Sequence, residues 1–462
     1  MGIRKFIGDK AFYKMAFMII LPMILQNGIT NFVALLDNIM VGRMGTEQMS
    51  GVAIVNNIMM VFNVSIWGAV AGPGIFSAQF FGRKDYQGVK YALRFKYAAV
   101  GGFCILGIAA FLFFAEPLVA LYLNEGASEG DVASTLRAGE QYLKIMVFGL
   151  VPFALTQIYA GTLRESGETM IPMKAGIIAV MVNLVGNYVL IFGHFGFPRL
   201  EVAGAAIATV VSRFVECGIV MIWTHKNTEK NPYAKGLFRD FRIPGALVRD
   251  ILKKGSPMMF NECLWAISMA IITQSYSMRG LEAVAGINIS NTLLNLVSIV
   301  YLSMGNAVGI IVGHSLGAGK MEEARDKDNK LIALAMSTCL VMALVFVLIA
   351  PGFPRLYATT DQVREIAKEI MWVGAIFMPM HAFINTAYFT LRAGGKTMIT
   401  FIFDSGFLTC VTLPVVFVLS RYTEIPIVPL YFCGQLSEMA KCVAGFVMVK
   451  SGRWLHTIEI DA

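Results

Sequence analysis

The chain contains apolar stretches long enough to cross a lipid bilayer, and they recur along nearly its whole length. A helix needs about 20 mainly apolar residues to cross about 30 Å of hydrocarbon. The sequence predicts twelve such spans, separated by polar loops. Their approximate bounds are 14–40, 52–78, 91–114, 137–160, 171–193, 203–224, 256–277, 283–315, 330–350, 364–388, 398–419 and 427–449. We therefore expect an all-α integral membrane protein, because a helix satisfies its own backbone groups in lipid.

The composition excludes a soluble globular protein. Apolar residues make up 56% of the chain and charged residues only 15%, against about 25% charged residues in soluble domains. The seven Cys and five His lack the close spacing of metal ligands. The chain also lacks a nucleotide-binding motif of the type GxxxxGKS or GxxxxGKT. We therefore expect no enzymatic activity, no cofactor and no resident metal.

The net charge of +8 reflects the loops rather than a nucleic-acid-binding patch. Lys and Arg cluster after spans 2, 6 and 8, with Arg94 and Lys96 among those after span 2, whereas the loops after spans 3 and 11 carry few. Basic loops of membrane proteins stay in the cytoplasm. The pattern predicts cytoplasmic positions for these loops and for both termini. It indicates a lipid bilayer, and not nucleic acid, as the partner of this chain.

The second half of the chain repeats the first. The matching segments are Leu21-Pro22-Met23 with Ser256-Pro257-Met258, Gly74 with Gly309, Gly82 with Gly317, and 163–172 with 391–400. Each half has six predicted spans, so the two halves have the same orientation in the membrane and are related by an axis along the membrane normal. Repeated many-helix halves are typical of transporters whose site lies near the interface of the repeats.

The repeat predicts two lobes and a connecting segment. We expect an N-terminal lobe at 1–224, a basic cytoplasmic linker at 225–254 and a C-terminal lobe at 255–462. Pro22 and Pro257 stand at matching places in spans 1 and 7. A proline inside a helix removes one backbone hydrogen bond and favours a bend, so both residues are expected hinges.

Five short motifs in the first half carry a family resemblance. They are Asp37-Asn38-Ile39-Met40-Val41-Gly42, Gly82-Arg83, Leu163-Arg164-Glu165-Ser166-Gly167, the segment 183–193 and the segment 204–209. With these motifs in this order on twelve predicted spans, the chain resembles the multidrug and toxic compound extrusion (MATE) family of the MOP flippase superfamily. The resemblance covers nearly the whole chain.

The resemblance implies a fold and an activity. It implies two six-helix bundles arranged as a V around a central cavity, in a monomer of the bacterial cytoplasmic (inner) membrane. It further implies a secondary active antiporter that exports amphipathic, cationic organic compounds or drugs in exchange for protons or sodium ions. The alternative is a lipid-linked precursor flippase of the same superfamily, for which we would expect more spans and a strongly cationic cavity.

Ionisable side chains inside the predicted spans are candidates for ion coupling, because each charge is costly in hydrocarbon. Asp37 lies near the outer end of span 1, where one branch of the resembled family carries an essential carboxylate. That branch supports its carboxylate with an Asn and an Asp four residues apart on span 5. The matching residues here are Asn183 and Asn187, two amides able to hydrogen-bond Asp37.

The C-terminal half offers a second candidate coupling site. Glu262 on span 7 matches a glutamate that another branch of the resembled family uses in cation coupling. Its counterpart in the first half is Asn27. That branch has an aspartate in span 10, where His381 and Asn385 stand here. Asp404 in span 11 is the candidate that replaces the missing acid.

Two cations stand at matching places in the two halves, Arg213 on span 6 and Lys441 on span 12. Arg213 has Glu216 three residues later, and Lys441 has Glu438 three residues earlier, so each cation is predicted to pair with an acid on its own helix. One interpretation is a structural ion pair. The other is that Lys441 pairs with deprotonated Asp404 or Glu262 and releases it when a proton or substrate arrives.

A further group of residues is predicted to line the substrate cavity. Methionine and aromatic side chains adapt to varied ligands, which suits a transporter of several compounds. The candidates are Asn27, Met258, Trp265, Tyr276, His381 and Asn385.

Overall fold

The computed structural model describes residues 6–42, 46–120, 129–357 and 359–458, without the side chains of residues 35, 38, 39, 42, 46 and 129–131. The predicted cytoplasmic termini lie partly outside these residues, at 1–5 and 459–462. Of the first family motif, the side chains of Asn38 and Ile39 lie outside them as well. Within the described residues the chain is helical and contains no β-strand.

Fifteen α-helices follow one another along the described residues. The first eight are α1 (Lys10–Gly42), α2 (Thr46–Gly82), α3 (Tyr86–Phe113), α4 (Ala115–Ala120), α5 (Glu129–Met146), α6 (Leu150–Glu165), α7 (Met170–Phe192) and α8 (Glu201–Lys226). The other seven are α9 (Gly245–Ser277), α10 (Leu281–Gly317), α11 (Met321–Ile349), α12 (Asp361–Ala393), α13 (Thr397–Phe401), α14 (Leu413–Tyr422) and α15 (Ile427–Ser451).

Eleven helical stretches among the described residues are long and apolar enough to cross a membrane, judged by length and composition. α9 covers the remaining predicted span, span 7, and carries Asn261 and Glu262 in its middle. The helices therefore account for all twelve predicted spans.

Predicted spans 4 and 11 are each built from several helical segments. A 3-10 turn at Val147–Gly149 joins α5 to α6 within span 4. In span 11, two π-helical segments, Ile402–Gly406 and Leu408–Thr412, stand between α13 and α14. π-turns insert an extra residue per turn and occur frequently at functional sites. The first of them places Asp404 on a locally widened helix.

The chain divides into two compact units. The C-terminal unit comprises Met1–Ile24, Ala78–Asp85 and Arg249–Ala462, and the N-terminal unit comprises Leu25–Ser77 and Tyr86–Val248. The start of α1 and the end of α2 thus belong with the second half of the chain. The predicted lobe bounds, 1–224 and 255–462, stay a prediction beside this division.

The repeat-matched glycines mark a close approach of α2 and α10 within the C-terminal unit. A Cβ atom on Gly82 would overlap the backbone carbonyl of His314, and a Cβ atom on Gly317 would overlap the backbone carbonyl of Gln79. Only glycine lets the two helix ends meet at this distance. The repeat of Gly82 and Gly317 in the sequence therefore has a packing reason.

The segment after α15 packs under the same helix ends. Trp454 is only 1% exposed, and the Thr457 hydroxyl donates to the carbonyl of Leu316 at 2.9 Å. Gln79 joins three elements, because its Nε2 donates to the carbonyl of Ala393 at 2.8 Å while its Oε1 accepts from the amide of Ile458 at 2.7 Å. The end of α2 is thereby fixed to α12 and to the chain beyond α15.

The first part of the predicted linker 225–254 is folded onto the N-terminal unit. Tyr233 and Leu237 are fully buried. The Arg94 guanidinium donates to the carbonyls of Leu237 and Arg242, both at 3.0 Å. Arg94 therefore has a structural role as well as the topological one that the sequence indicates, because it ties the linker to α3.

Candidate functional site

One polar cluster lies in the N-terminal unit, on α1, α7 and α8. Asn187 Nδ2 donates to Asp37 Oδ1 at 2.8 Å. With its amide turned so that Nδ2 faces Asp37, Asn183 donates to both carboxylate oxygens, at 3.1 and 2.8 Å, and its Oδ1 accepts from the hydroxyl of Thr209 at 3.2 Å. The four-residue spacing puts both amides on one face of α7. The structure brings the three predicted residues together, and their role in coupling stays a prediction.

The hydrogen-bond donors around Asp37 are neutral. Asn183 and Asn187 are buried, at 7% and 2% exposure, and among the described residues no Lys, Arg or His lies within 4.0 Å of the Asp37 carboxylate. Oδ1 of Asn187 is buried without a hydrogen-bond partner in the part of the chain that the structure describes. An asparagine offers either N–H or C=O when its amide turns, so it can serve a carboxylate and a protonated carboxyl alike.

A second polar cluster lies in the C-terminal unit, on α9, α15 and the π-helical part of span 11. Lys441 Nζ donates to Asp404 Oδ1 at 2.8 Å, and Asn261 Nδ2 donates to Asp404 Oδ2 at 3.0 Å. Glu438 Oε2 lies 3.7 Å from Lys441 Nζ, and Glu438 Oε1 accepts from the hydroxyl of Thr412 at 2.8 Å. This cluster has a charged donor where the N-terminal cluster has amides.

The amide of Asn261 is itself held in place. The Ser405 hydroxyl lies 2.7 Å from the carbonyl oxygen of Asn261 and 2.8 Å from its Oδ1, and the Ser405 amide donates to that Oδ1 at 3.3 Å. With Oδ1 engaged by Ser405, Nδ2 is turned to Asp404. The fixed amide therefore orients one half of the carboxylate.

Glu262 is the neighbour of Asn261 on α9. Its side chain is half-buried and lies within electrostatic reach of Arg392 and Asp404. Lys441 pairs directly with Asp404 of span 11, which is one of the two carboxylate partners predicted for it. The function of Glu262 stays a prediction.

The two repeat-related cations differ in their contacts. Arg213 Nη1 donates to the carbonyl of Gly149 at 3.2 Å, and the guanidinium lies over the ring of Phe153, 5.0 Å from its centroid. Gly149 lacks a side chain, and a Cβ there would lie 3.2 Å from Arg213 Cδ. The predicted same-helix pair is present for Lys441 and Glu438, but Arg213 and Glu216, both among the described residues, form no ion pair within 4.0 Å. Arg213 stays within electrostatic reach of Glu216, but its guanidinium turns to the α5–α6 junction and hydrogen-bonds there instead.

The predicted cavity residues occupy different surroundings. Met258 is buried with its sulfur 3.8 Å from the hydroxyl of Tyr388, and Tyr276 is buried beside Tyr431. His381 Nε2 lies 2.7 Å from Oε1 of Gln435. Trp265 is 43% exposed. Each residue is placed by the structure, and a role in substrate binding stays a prediction for all of them.

Four other predicted residues lie inside long helices. Asn27 is half-buried on α1, and Asn385 on α12 has a buried Oδ1 without a partner among the described residues. Pro22 and Pro257 are buried within α1 and α9, and each helix continues through its proline. Their function as hinges stays a prediction.

Sequence reasoning missed two polar contacts in the N-terminal unit. Lys96 is fully buried and donates to the hydroxyl of Thr162 at 3.0 Å and to Glu165 at 2.5 Å. Arg164 Nη2 donates to Gln26 Oε1 at 3.1 Å. A signal was present for both, because Lys96 falls inside predicted span 3 and Gln26 is the repeat counterpart of Asn261.

A family model described as MatE matches residues 22–189 and 257–418 of the chain. A relative from Thermotoga maritima, "Probable multidrug resistance protein NorM", is 24% identical over 437 residues, which are 94% of this chain and 91% of the relative. The protein of the same name from Bacillus licheniformis is 24% identical over 443 residues, 95% of this chain and 96% of the relative.

Solved structures show the same fold. A multidrug resistance MATE family transporter of the MOP superfamily in an outward-facing conformation superposes with a TM-score of 0.84 at 18% identity, covering 98% of both chains. The Vibrio cholerae MATE transporter VcmN in its bent form gives a TM-score of 0.83 at 18% identity, covering 96% of this chain and 97% of that chain. These similarities confirm the predicted all-α membrane fold.

Proposed function

Because the chain belongs to the MatE family, we propose that it is a secondary active antiporter of the bacterial cytoplasmic membrane, with both termini in the cytoplasm. It exports amphipathic, cationic organic compounds in exchange for protons or sodium ions, and it acts as a monomer. The names of its relatives from Thermotoga maritima and Bacillus licheniformis, both multidrug resistance proteins, support export of several compounds.

The observation that carries the proposal is the environment of Asp37. Its carboxylate lies on a membrane-spanning helix and receives hydrogen bonds from the amides of Asn183 and Asn187. A carboxylate with neutral donors changes its net charge when it takes up a cation or proton. An ion-pair partner would instead stabilise the ionised carboxylate and oppose its neutralisation. Asp37 is therefore suited to bind the coupling ion in one state and to release it in the other.

The amides support an exchange of protons in particular. An ionised Asp37 accepts hydrogen bonds from N–H groups, whereas a protonated Asp37 must donate a hydrogen bond from its O–H group to an oxygen. Rotation of the Asn187 amide brings Oδ1, which lacks a partner among the described residues, to the place of Nδ2. The same two side chains thus satisfy both states of the carboxyl without a movement of the backbone.

The C-terminal acids form the second coupling element of this proposal. Glu262 lies on span 7 and Asp404 on span 11, and the two spans are in contact through Asn261 and Asp404. Asp404 is paired with Lys441 at 2.8 Å. Loss of that pair on binding of a substrate or ion would change the packing of α15 against span 11. Two packings of the same helices are the usual source of alternating access in transporters with repeated lobes.

Transport by the purified chain in proteoliposomes tests the proposal. A panel of cationic dyes is loaded, and either a pH gradient or a sodium gradient is imposed. We expect accumulation or efflux of at least one dye that depends on one of the two gradients and collapses with the matching ionophore. The Asp37→Asn variant in the same membranes is the matched control. Dye movement that ignores both gradients, or that persists unchanged in Asp37→Asn, contradicts the proposal.

A further inference from the structure

Both carboxylate oxygens of Asp404 already face nitrogen donors. Oδ1 receives the Lys441 ammonium at 2.8 Å, and Oδ2 receives the amide of Asn261 at 3.0 Å. The neighbouring acid is engaged as well, since Glu438 Oε1 accepts the hydroxyl of Thr412 at 2.8 Å and Oε2 lies 3.7 Å from the same ammonium. The cluster is thus organised around a cation that belongs to the chain.

The Lys441 ammonium is held from several helices. Its side chain is only 5% exposed, against 22% for Asp404 and 11% for Glu438, and its Nζ lies 5.5 Å from the centre of the Phe403 ring. The carboxylates come from span 11 and from α15, and Asn261 on α9 is fixed by Ser405. The ammonium therefore has a defined position between two acids. A mobile surface lysine lacks such a position.

A sodium ion in this cluster would need the same oxygens. Hard cations bind oxygen ligands such as carboxylates and carbonyls in a compact shell. An ammonium at 2.8 Å from Oδ1 repels any second cation at that carboxylate, and an N–H group points at Oδ2. The ammonium would have to leave before a sodium ion could enter.

The repeat shows that the acid and its lysine form a special feature of the second half. The counterparts of Asp404 and Asn261 in the first half are Gly176 and Gln26. A Cβ atom on Gly176 would lie 2.8 Å from Nε2 of Gln26, so an amide fills the place that a carboxylate fills in the second half. The counterpart of Lys441 is Arg213, which donates to a backbone carbonyl instead.

We propose that Lys441 is a specificity-determining residue: its ammonium is the resident cation of the Asp404–Glu438 cluster and excludes sodium ions from it. This inference rests on the proposed function and deepens it, because it removes the C-terminal cluster as a sodium site. An antiporter with a lysine in this position couples to sodium at this cluster only if the lysine is lost.

Sodium binding by the purified full-length chain tests the inference without any transport. Radioactive sodium ions are titrated onto the protein in detergent, with choline chloride holding the ionic strength constant. We expect no saturable sodium binding that depends on Asp404 in the wild type. Lys441→Met should create one saturable sodium site per chain, and the double variant Lys441→Met with Asp404→Asn should lose it again. Lys441→Arg should keep the site closed, and Lys450→Met, an exposed lysine on the same helix, is the matched control.

The wild type alone can overturn the inference. Saturable sodium binding to the wild type that disappears in Asp404→Asn would show that sodium ions enter the cluster in spite of Lys441. This measurement needs no folded Lys441→Met protein. Sodium binding that disappears in Asp37→Asn and survives in Asp404→Asn agrees with the inference, because it places the ion elsewhere. A failure of dye transport would contradict the proposed function and would leave the binding result unchanged.

Discussion

The two polar clusters of this chain handle a membrane carboxylate in opposite ways. Asp37 in the N-terminal unit has the amides of Asn183 and Asn187 as donors, whereas Asp404 in the C-terminal unit has the Lys441 ammonium 2.8 Å away. A carboxylate among amides carries a net charge that an incoming ion can neutralise. A carboxylate beside a lysine is already neutralised. Similar acids in related lobes are therefore able to serve different steps.

The same contrast holds for the repeat-related cations. Lys441 forms an ion pair with Asp404, while Arg213 bonds to the carbonyl of Gly149 and lies over Phe153. Arginine spreads its charge over a planar group that stacks on aromatic rings, and lysine presents a point charge. Of the two repeat-related cations, Lys441 thus neutralises an acid and Arg213 supports a helix junction.

The largest effect is expected at Asp37. We expect Asp37→Asn to reduce gradient-driven dye efflux to the background of protein-free vesicles, because the amide can neither bind nor release the coupling ion. The variant should fold, since an amide of the same size also hydrogen-bonds Asn183 and Asn187. The measurement is efflux from proteoliposomes, with the amount of reconstituted protein determined on a gel. Efflux at the wild-type rate would assign coupling to another residue.

Removal of Lys441 gives the next largest effect. Breaking a buried ion pair by removing one partner costs about 3–5 kcal/mol of stability, so Lys441→Met should lower the free energy of unfolding by about that amount. Arg213→Met should cost only about 1–2 kcal/mol, because its loss leaves a neutral carbonyl without its donor while Glu216 keeps its electrostatic interaction with Arg164. Denaturant titration in detergent measures both.

The double variant separates charge from packing in this experiment. Lys441→Met combined with Asp404→Asn removes both charges of the direct pair and leaves Glu438 with its hydrogen bond from Thr412, so we expect part of the lost stability to return. Equal effects of Lys441→Met and Arg213→Met would contradict the distinction between the two cations.

The fold was predictable from the sequence to a large extent, because span length and hydropathy follow directly from the thickness of the bilayer. All twelve predicted spans correspond to helical stretches. The π-helical segments at Ile402–Gly406 and Leu408–Thr412 were not predictable, since a π-turn depends on packing and not on a local pattern. The grouping of the start of α1 with the C-terminal unit likewise depends on tertiary contacts.

The site was predictable where helix periodicity decides the geometry. The four-residue spacing of Asn183 and Asn187 placed both amides on one face of α7, and they meet Asp37. The partner of Arg213 was not predictable, because the side chain is long enough to choose between Glu216 and the carbonyl of Gly149. That choice depends on the space beside Gly149 at the α5–α6 junction. The sequence of α8 carries no information about that space.

A smaller effect is expected at Asn187. Asn187→Ala removes the 2.8 Å hydrogen bond to Asp37 and leaves a half-buried carboxylate with one donor fewer, which costs about 1 kcal/mol. Dye efflux should fall but remain measurable, because Asn183 still contacts the carboxylate. Asn187→Asp should restore part of the activity, since its carboxyl is able to share a proton with Asp37. Full activity in Asn187→Ala would exclude the amide from the coupling step.

The smallest effect is expected at Ser405, in the C-terminal cluster. Ser405→Ala removes the hydroxyl that lies 2.7 Å from the Asn261 carbonyl and 2.8 Å from its Oδ1, at a cost of about 1 kcal/mol. The Ser405 backbone amide still donates to Oδ1, so Asn261 keeps its orientation toward Asp404. Stability should therefore fall slightly while dye efflux stays near the wild-type rate.

Ser420→Ala, which removes a buried hydroxyl bonded to the carbonyl of Phe417 within α14, is the matched control. A loss of efflux in Ser405→Ala as complete as that of Asp37→Asn would mean that the C-terminal cluster is as sensitive to one neutral contact as the N-terminal one, and the contrast between the two clusters would fail.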